Sequence, residues 1–232
     1  MMDSADFGRD PFGTLHAALW IGGAQWAGKS TVSRIIAARY GMTAYHYDYH
    51  DARGHLERRA ARRARGTGLP YAEPAGPAWD VSSPAELAEQ SLASFAERFE
   101  FVLDDLRALV SPLPLLAEGF GFRPEVLAPL LDAPDRMIIM VPTEEFRQHQ
   151  ISTLPRAGSL SVEVGDPVRG QANRVDRDRL LAEHAVRAAH EQGVRVLEID
   201  GSLDAEAVAD EVAIHFAAYL PAPCACCLDN LV

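Results

Sequence analysis

One stretch of the chain combines residue types and a spacing that suit the binding of phosphate. From Gly23 to Ser30 it reads Gly-Ala-Gln-Trp-Ala-Gly-Lys-Ser, which fills every fixed position of the pattern G-x-x-x-x-G-K-S. Glycines let the backbone curl so that successive N–H groups point at phosphate oxygens, and the start of a following helix adds partial positive charge there. Lys29 is predicted to bridge the β- and γ-phosphates, and the Ser30 hydroxyl to ligate Mg²⁺. The predicted nucleotide-binding residues of this loop are Gly23, Ala24, Gln25, Trp26, Ala27, Gly28, Lys29, Ser30 and Thr31.

Lysine usage points to the same place. The chain has 22 basic side chains, and Lys29 is the only lysine among them, since the other 21 are arginines. A composition that uses arginine almost everywhere keeps lysine where a compact ammonium is required.

Two carboxylates are expected beside this loop. Asp48 follows a β-prone run that begins at Met42, and Glu118 ends an apolar run that begins at Leu113. Because ligands of open parallel sheets bind at the carboxyl ends of the strands, both acids are predicted to face the loop. Asp48 is interpreted as the base for an acceptor hydroxyl or as a residue that holds Mg²⁺ through water, and Glu118 as a ligand of the Mg²⁺ water shell or of the substrate. The alternatives are helix capping by Asp48 and a hydrogen bond from a backbone N–H to Glu118.

Further candidate residues are cations and aromatics in polar segments. Arg53 opens a basic run that is otherwise interpreted as a solvated helix face, and it is a candidate for reaching the substrate. Arg123 follows the third apolar strand and is a candidate for binding an anionic acceptor group. Trp79 lies in a loop over 66–84 that is rich in glycine and proline, where it either stacks on the acceptor or covers the core.

Residues 153–177 are predicted to form a mobile lid, followed by a helix over 177–191. The segment is polar, is broken by prolines and glycines, and carries Arg156 and Arg174, which would neutralise charge on a transferred phosphoryl group. A run Asn-Arg-Val-Asp inside it is similar to the guanine-reading motif N-K-x-D. We do not interpret it as that motif, because it lacks the lysine and follows no apolar strand.

Alternating apolar runs and helical patterns supply the elements that must position these residues. Strands are predicted in the runs 15–21, 42–47, 113–118, 136–142 and 194–199. Ser83-Pro84-Ala85-Glu86 is a capping box that predicts the start of a helix of about 25 residues. The predicted fold class is α/β, a three-layer sandwich around a five-stranded parallel sheet with helical cap and lid insertions.

The whole-chain composition fits one globular domain and excludes several classes of protein. Its 232 residues suit an α/β domain over 14–220, with tails at 1–13 and 221–232. The net charge of -11 argues against nucleic acid as a partner. No apolar stretch suits a membrane span or a secretion signal, so a cytoplasmic location is expected.

The second tail holds every cysteine of the chain, either as half of a zinc site or as an oxidation-prone tail: Cys224, Cys226 and Cys227. The sequence is compatible with a homodimer.

With a phosphate loop after the first of five strands, the chain resembles the P-loop kinases of small molecules, the nucleoside and nucleotide kinase-like group. The resemblance implies the strand order 2-3-1-4-5, the use of ATP and Mg²⁺, a small-molecule phosphoryl acceptor bordered by the first two loops, and an arginine-bearing lid. It also implies that the turn after the last strand, with Gly201, lies against the adenine. The chain departs from the D-x-D pair of some nucleoside kinases, since residues 48–51 read Asp-Tyr-His-Asp.

The favoured function is an ATP-dependent phosphotransferase that moves the γ-phosphoryl of Mg-ATP to a hydroxyl or phosphate of a small metabolite. The alternative is a nucleotide-binding regulatory ATPase or switch without a small-molecule acceptor, for which no switch segment stands out. A motor-type ATPase fits less well, because the chain lacks the extra domain of that class.

Overall fold

The computed structural model describes residue 10 and residues 13–71, 77–111, 113–158, 160 and 163–223. The side chain of Arg53, the three cysteines and most of the predicted N-terminal tail lie outside the described residues. No described helix is long and apolar enough to cross a membrane.

Five parallel strands form one sheet in the order β2-β3-β1-β4-β5, which confirms the predicted order. The strands are β1 (Leu19–Gly23), β2 (Thr43–His46), β3 (Leu115–Glu118), β4 (Met137–Pro142) and β5 (Arg195–Ile199). The three central strands are buried almost throughout, as apolar strands covered on both faces must be.

Helices cover both faces of the sheet. They are α1 (Thr14–Ala17), α2 (Lys29–Tyr40), α3 (Tyr47–His50), α4 (Leu56–Thr67), α5 (Pro84–Ala108), α6 (Pro124–Leu127), α7 (Glu144–Thr153), α8 (Pro155–Gly158), α9 (Pro167–Glu191) and α10 (Ala205–His215). A π-helical turn over Asp51–His55 joins α3 to α4, and 3₁₀ turns occupy Ala128–Leu130 and Pro134–Arg136.

Alternate residues of β1 belong to different cores. Trp20 faces the layer of α5, α6 and α9, whereas Leu19 and Ile21 face the layer of α2 and α10. This alternation follows from the period of two along a strand, and it makes the three-layer sandwich.

Side-chain caps and a glycine set several helix boundaries, one of which was predicted from the sequence. The capping box is present, with the N–H groups of Ser83 and Glu86 bonded to each other's side chains, and it opens a helix of 25 residues. Thr143 caps α7 by accepting the N–H of Phe146. Helix α2 ends at Gly41, whose φ of 61° is in the left-handed region.

Three boundaries differ from the predictions. The run over 15–21 predicts one strand, but its first part forms α1, where the His16 N–H donates to the Asp10 carboxylate (2.9 Å). Strand β2 ends at His46, so Asp48 lies in the first turn of α3. Helix α9 begins well before residue 177, so the predicted lid contains α8 and the first part of α9 and is not one irregular segment.

The early start of α9 has a local explanation. Pro167 occupies its first position, where a missing N–H costs nothing, and the Asp166 side chain accepts the N–H of Arg169 (3.0 Å). Gly170 is inside the helix because a Cβ there would meet Leu160 at 2.8 Å. The proline and glycine that suggested a broken segment therefore serve as a helix start and a packing contact.

Candidate active site

The phosphate loop lies between the end of β1 and the first turn of α2, at the carboxyl edge of the sheet. The Ala24 N–H donates to the Met140 carbonyl (2.9 Å), which anchors the loop to β4. A Cβ at Gly23 would meet that same oxygen at 2.1 Å, and Gly23 has a φ of 119°. Gly28 has a φ of 80°, and its carbonyl accepts the N–H of Thr31 (3.0 Å) as α2 begins. Gly23 requires glycine for space, and the backbone conformation of Gly28 favours it.

Lys29 is buried at the first position of α2 and curls back over the loop. Its Nζ donates to the Ala24 carbonyl at 2.6 Å. Burial lowers the pKa of the Lys29 ammonium, while the charges of Asp48 and Glu118 oppose that shift. The loop therefore combines backbone N–H groups and one ammonium, which is an arrangement for binding anions.

The charge of Asp48 acts on this ammonium. Its Oδ1 accepts the backbone N–H of Phe120 at 3.2 Å, which connects α3 to the turn after β3. Burial raises the pKa of Asp48, and the charge of Lys29 opposes the shift. The N-cap residue of α3 is His46, so Asp48 is not its cap. A carboxylate with a raised pKa can accept a proton from a hydroxyl more readily than an exposed aspartate.

Glu118 ends β3, and its two carboxylate oxygens have different surroundings. Its Oε1 lies 2.7 Å from Nδ1 of His46, which faces it across the β2–β3 pair. Its Oε2 is buried and has no hydrogen-bond partner among the residues that the structure describes. Leaving a buried acceptor unsatisfied is costly, so Oε2 is available for a hydrated cation or a substrate hydroxyl.

Two glycines after β3 make room for the ring of Tyr47. A Cβ at Gly119 would lie 2.4 Å from the Tyr47 Cβ, and one at Gly121 would lie 2.4 Å from its ring. Burial raises the pKa of the Tyr47 phenol, so this ring stays neutral. The ring of Tyr47 thereby fills the space between the end of β2 and the turn after β3.

Arg123 is buried between α6 and α9 rather than at the surface. Its Nη2 donates to the Leu181 carbonyl (3.0 Å) and to His184 Nδ1 (2.9 Å). Burial lowers its pKa, and Glu125 opposes the shift. Its charge acts on Lys29, but the contacts named here join two helices, so its role toward an acceptor stays a prediction.

The predicted acceptor-side loop is docked on α9. The Trp79 carbonyl accepts the side-chain amide of Asn173 (2.8 Å), and the Arg177 guanidinium lies over the Trp79 ring, 4.7 Å from its centroid. Asp80 accepts the backbone N–H of Asp166 (2.9 Å) just before α9.

The predicted lid arginines occupy different positions. The Arg156 guanidinium lies 5.8 Å from the centroid of the Trp26 ring, beside the phosphate loop. The Arg174 guanidinium instead donates to the carbonyl of Ala157 and thereby joins α9 to α8. Gly201 follows β5 with a φ of 84° and packs against Phe146, whose ring would lie 2.6 Å from a Cβ there.

The sheet order and the position of the glycine loop after β1 define the fold. The chain has the fold of the P-loop small-molecule kinases. No family model matches the chain, and no curated protein matches it. Among solved structures it is similar to a shikimate kinase from Acinetobacter baumannii in complex with shikimate, at 16% identity over 89% of this chain and 96% of that chain, with a TM-score of 0.46. It is also similar to a shikimate kinase from Aquifex aeolicus, at 11% identity over 87% of this chain and 96% of that chain, with a TM-score of 0.36.

Three residues near the site were not among the predicted site residues. The sequence pattern assigns His46 only to a strand, although its ring bonds Glu118. Arg177 and Asp178 are buried on α9 and form an ion pair of 2.8 Å, and the charge of Asp178 also acts on Lys29. Burial raises the pKa of Asp178, and Arg177 opposes the shift. A helix that begins at residue 167 places Arg177, Asp178 and Leu181 on one buried face. Predicting that start would therefore have pointed to Arg177 and Asp178.

Proposed function

We propose that this chain is an ATP-dependent kinase that moves the γ-phosphoryl of Mg-ATP to a hydroxyl or phosphate of a small metabolite. The observation that carries the proposal is that Lys29 follows β1, Glu118 ends the adjacent β3, and Asp48 is bonded to the turn after β3, all at the carboxyl edge of the sheet. Lys29 and the loop N–H groups suit the phosphates of a nucleotide, while the two carboxylates suit a hydroxyl and a hydrated cation. A cytoplasmic place of action, where ATP is supplied, is part of the proposal.

For a hydroxyl acceptor, each of these groups has a task. Asp48 takes the proton of the acceptor hydroxyl as its oxygen bonds to the γ-phosphorus, and the bond between that phosphorus and the β,γ-bridging oxygen breaks to release ADP. Lys29 neutralises the charge that builds up on the β- and γ-phosphates. Ser30 and the free Oε2 of Glu118 would hold Mg²⁺, directly or through water. When bound, Mg²⁺ supplies further charge neutralisation at the phosphates.

The acceptor is proposed to lie between α3 and the loop that carries Trp79. Arg53, Trp79 and Arg123 are the candidate contacts for it on this side. Arg156 and Arg174 belong to the lid side, where Arg156 is the one beside the phosphate loop. Gly201 is proposed to lie near the adenine, at the same edge of the sheet.

The test is ADP release from Mg-ATP across a panel of small hydroxylated and phosphorylated molecules. We expect acceptor-dependent release that Asp48→Asn lowers by about 10²- to 10⁴-fold, because the base is lost. Calorimetric binding of ATP to that variant should change by less than about threefold, since Asp48 acts on the acceptor. Lys29→Ala should weaken both binding and turnover.

The matched control is Asp210→Asn, which makes the same change at an exposed aspartate of α10 that pairs with Arg39 of α2. It should retain full activity. Normal turnover in Asp48→Asn would remove Asp48 as the base. Tight ATP binding with slow hydrolysis that no acceptor accelerates would instead favour the regulatory ATPase.

A further inference from the structure

Trp26 has an unusual backbone conformation for its residue type. It lies inside the phosphate loop with a φ of 67°, and among the described residues it is the one non-glycine residue with a positive φ. This left-handed region favours glycine, because a Cβ there crowds the backbone. Residues held in such conformations concentrate at functional sites, where surrounding contacts keep them in place.

Among the described residues, the indole of Trp26 has a cationic neighbour in Arg156. The Arg156 guanidinium lies 5.8 Å from the centroid of the ring, within the range of a cation–π contact. Trp26 is half-buried and Arg156 is exposed, so the contact lies at the protein surface beside the phosphate loop and not in the core.

The backbone that carries Arg156 is fixed from the other side. Ala157 is fully buried, and its carbonyl accepts both the Arg174 guanidinium and the side-chain amide of Gln171 (2.9 Å). Both donors belong to α9. Helix α8 is therefore anchored to α9, while the long side chain of Arg156 extends toward the phosphate loop and meets Trp26.

We infer that Trp26 is a positioning residue: its indole holds the Arg156 guanidinium over the phosphate loop, where it stabilises the transferred phosphoryl group. The inference rests on the proposed kinase function. It explains why a bulky aromatic occupies a loop position whose backbone would suit glycine. The loop thereby supplies a surface for the arginine in addition to its own N–H groups.

A double-mutant cycle tests the inference in the full-length protein. Trp26→Gly removes the indole but fits the backbone, Trp26→Phe keeps an aromatic face, and Arg156→Gln removes the cation. We expect Trp26→Gly to lower kcat about three- to fivefold with little change in KM for ATP. The Trp26→Phe variant should keep most of the wild-type kcat. In an Arg156→Gln background, Trp26→Gly should have no further effect. An equal loss in both backgrounds would overturn the inference, because it would show an effect of the loop itself.

A second readout does not depend on catalysis. In the free protein, Arg156→Gln should change the tryptophan fluorescence of the wild-type chain but not that of the Trp26→Phe chain, because the other two tryptophans are common to both. Identical fluorescence changes in the two chains would overturn the contact. If the fluorescence cycle shows coupling but no acceptor is phosphorylated, the kinase proposal fails. If acceptors are phosphorylated without kinetic coupling, the positioning role fails.

Discussion

Around the end of β3, three sets of contacts join residues of the candidate site. Tyr47 fills the space against two glycines, Phe120 binds Asp48 through its N–H, and His46 bonds Glu118. Each contact orients a neighbour of the phosphate loop. At the scale of the residue, the candidate site is therefore defined by packing as much as by charge.

Gly119→Ala should destabilise the fold by about 1 to 3 kcal/mol, because the new methyl would lie 2.4 Å from the Tyr47 Cβ and neither group can move far. Urea unfolding measures the change. The matched control is Gly66→Ala in α4, where a Cβ meets nothing within 4 Å and should add about 0.5 to 1 kcal/mol of stability. If Gly119→Ala left the free energy of unfolding unchanged, Tyr47 would not occupy this space.

At the scale of the element, α4 is bound to the molecule in a different way from the other long helices. None of its side chains, all of which are described, is buried. It is joined to α5 by ion pairs and by two arginines, Arg58 and Arg62, that lie over the Phe101 ring at 4.5 and 5.0 Å. The ion pairs include Arg58–Asp105, Arg62–Glu100 and Arg63–Glu97. Helix α4 is therefore held against α5 by charged side chains rather than by the burial of apolar ones.

The backbone of α4 should therefore become less protected as salt is added. Raising NaCl from about 0.1 M to about 1 M shortens the screening length from about 10 Å to about 3 Å, which weakens exposed ion pairs. Hydrogen exchange should show faster exchange over residues 56–67 at high salt. Helix α10 provides the comparison, because it also carries exposed ion pairs to Arg39 but packs through the buried Val208 and Val212, so its exchange should respond much less to salt. Equal responses of the two helices would refute the electrostatic attachment of α4.

At the scale of the whole molecule, Asp105 connects the sheet to three helical segments. From its place on α5 it accepts the Tyr45 hydroxyl of β2 (3.0 Å), lies 2.7 Å from His55 Nε2 in the π-helical turn, and accepts Arg58 Nη1 of α4 (2.9 Å). Burial opposes ionisation of Asp105, but the hydrogen bonds from His55 and Tyr45 outweigh it and lower its pKa. The ionised carboxylate is therefore bound more tightly in the folded state than in the unfolded chain.

The lowered pKa of Asp105 determines how the stability of the fold changes with pH. The stabilisation that ionised Asp105 contributes is complete above the pKa of an aspartate in the unfolded chain, about 4. It is lost as the pH falls through the lower pKa that Asp105 has in the folded state. Asp105→Asn should be less stable than wild type near neutral pH, and the difference should shrink in acid. Urea unfolding at a series of pH values measures it. Asp104→Asn, at the neighbouring exposed residue, should show a small difference at every pH; a constant difference for Asp105→Asn would contradict the prediction.

Local chemistry explains which features could be predicted from the sequence. The glycine loop, the capping box at Ser83 and the strand-end position of Glu118 depend on neighbouring residues, so their patterns were sufficient. The bond between His46 and Glu118 depends on the register of two strands that are distant in sequence. The start of α9 was missed because Gly170 has a tertiary reason to be glycine.

The single lysine also makes the nucleotide site a unique proteolytic target. A protease specific for lysine has one peptide bond to cut in this chain, the one after Lys29. That bond lies in the first turn of α2, and its lysine side chain is buried against the loop. Cleavage therefore requires that this turn open, so the appearance of two fragments reports local unfolding of the phosphate loop without any label.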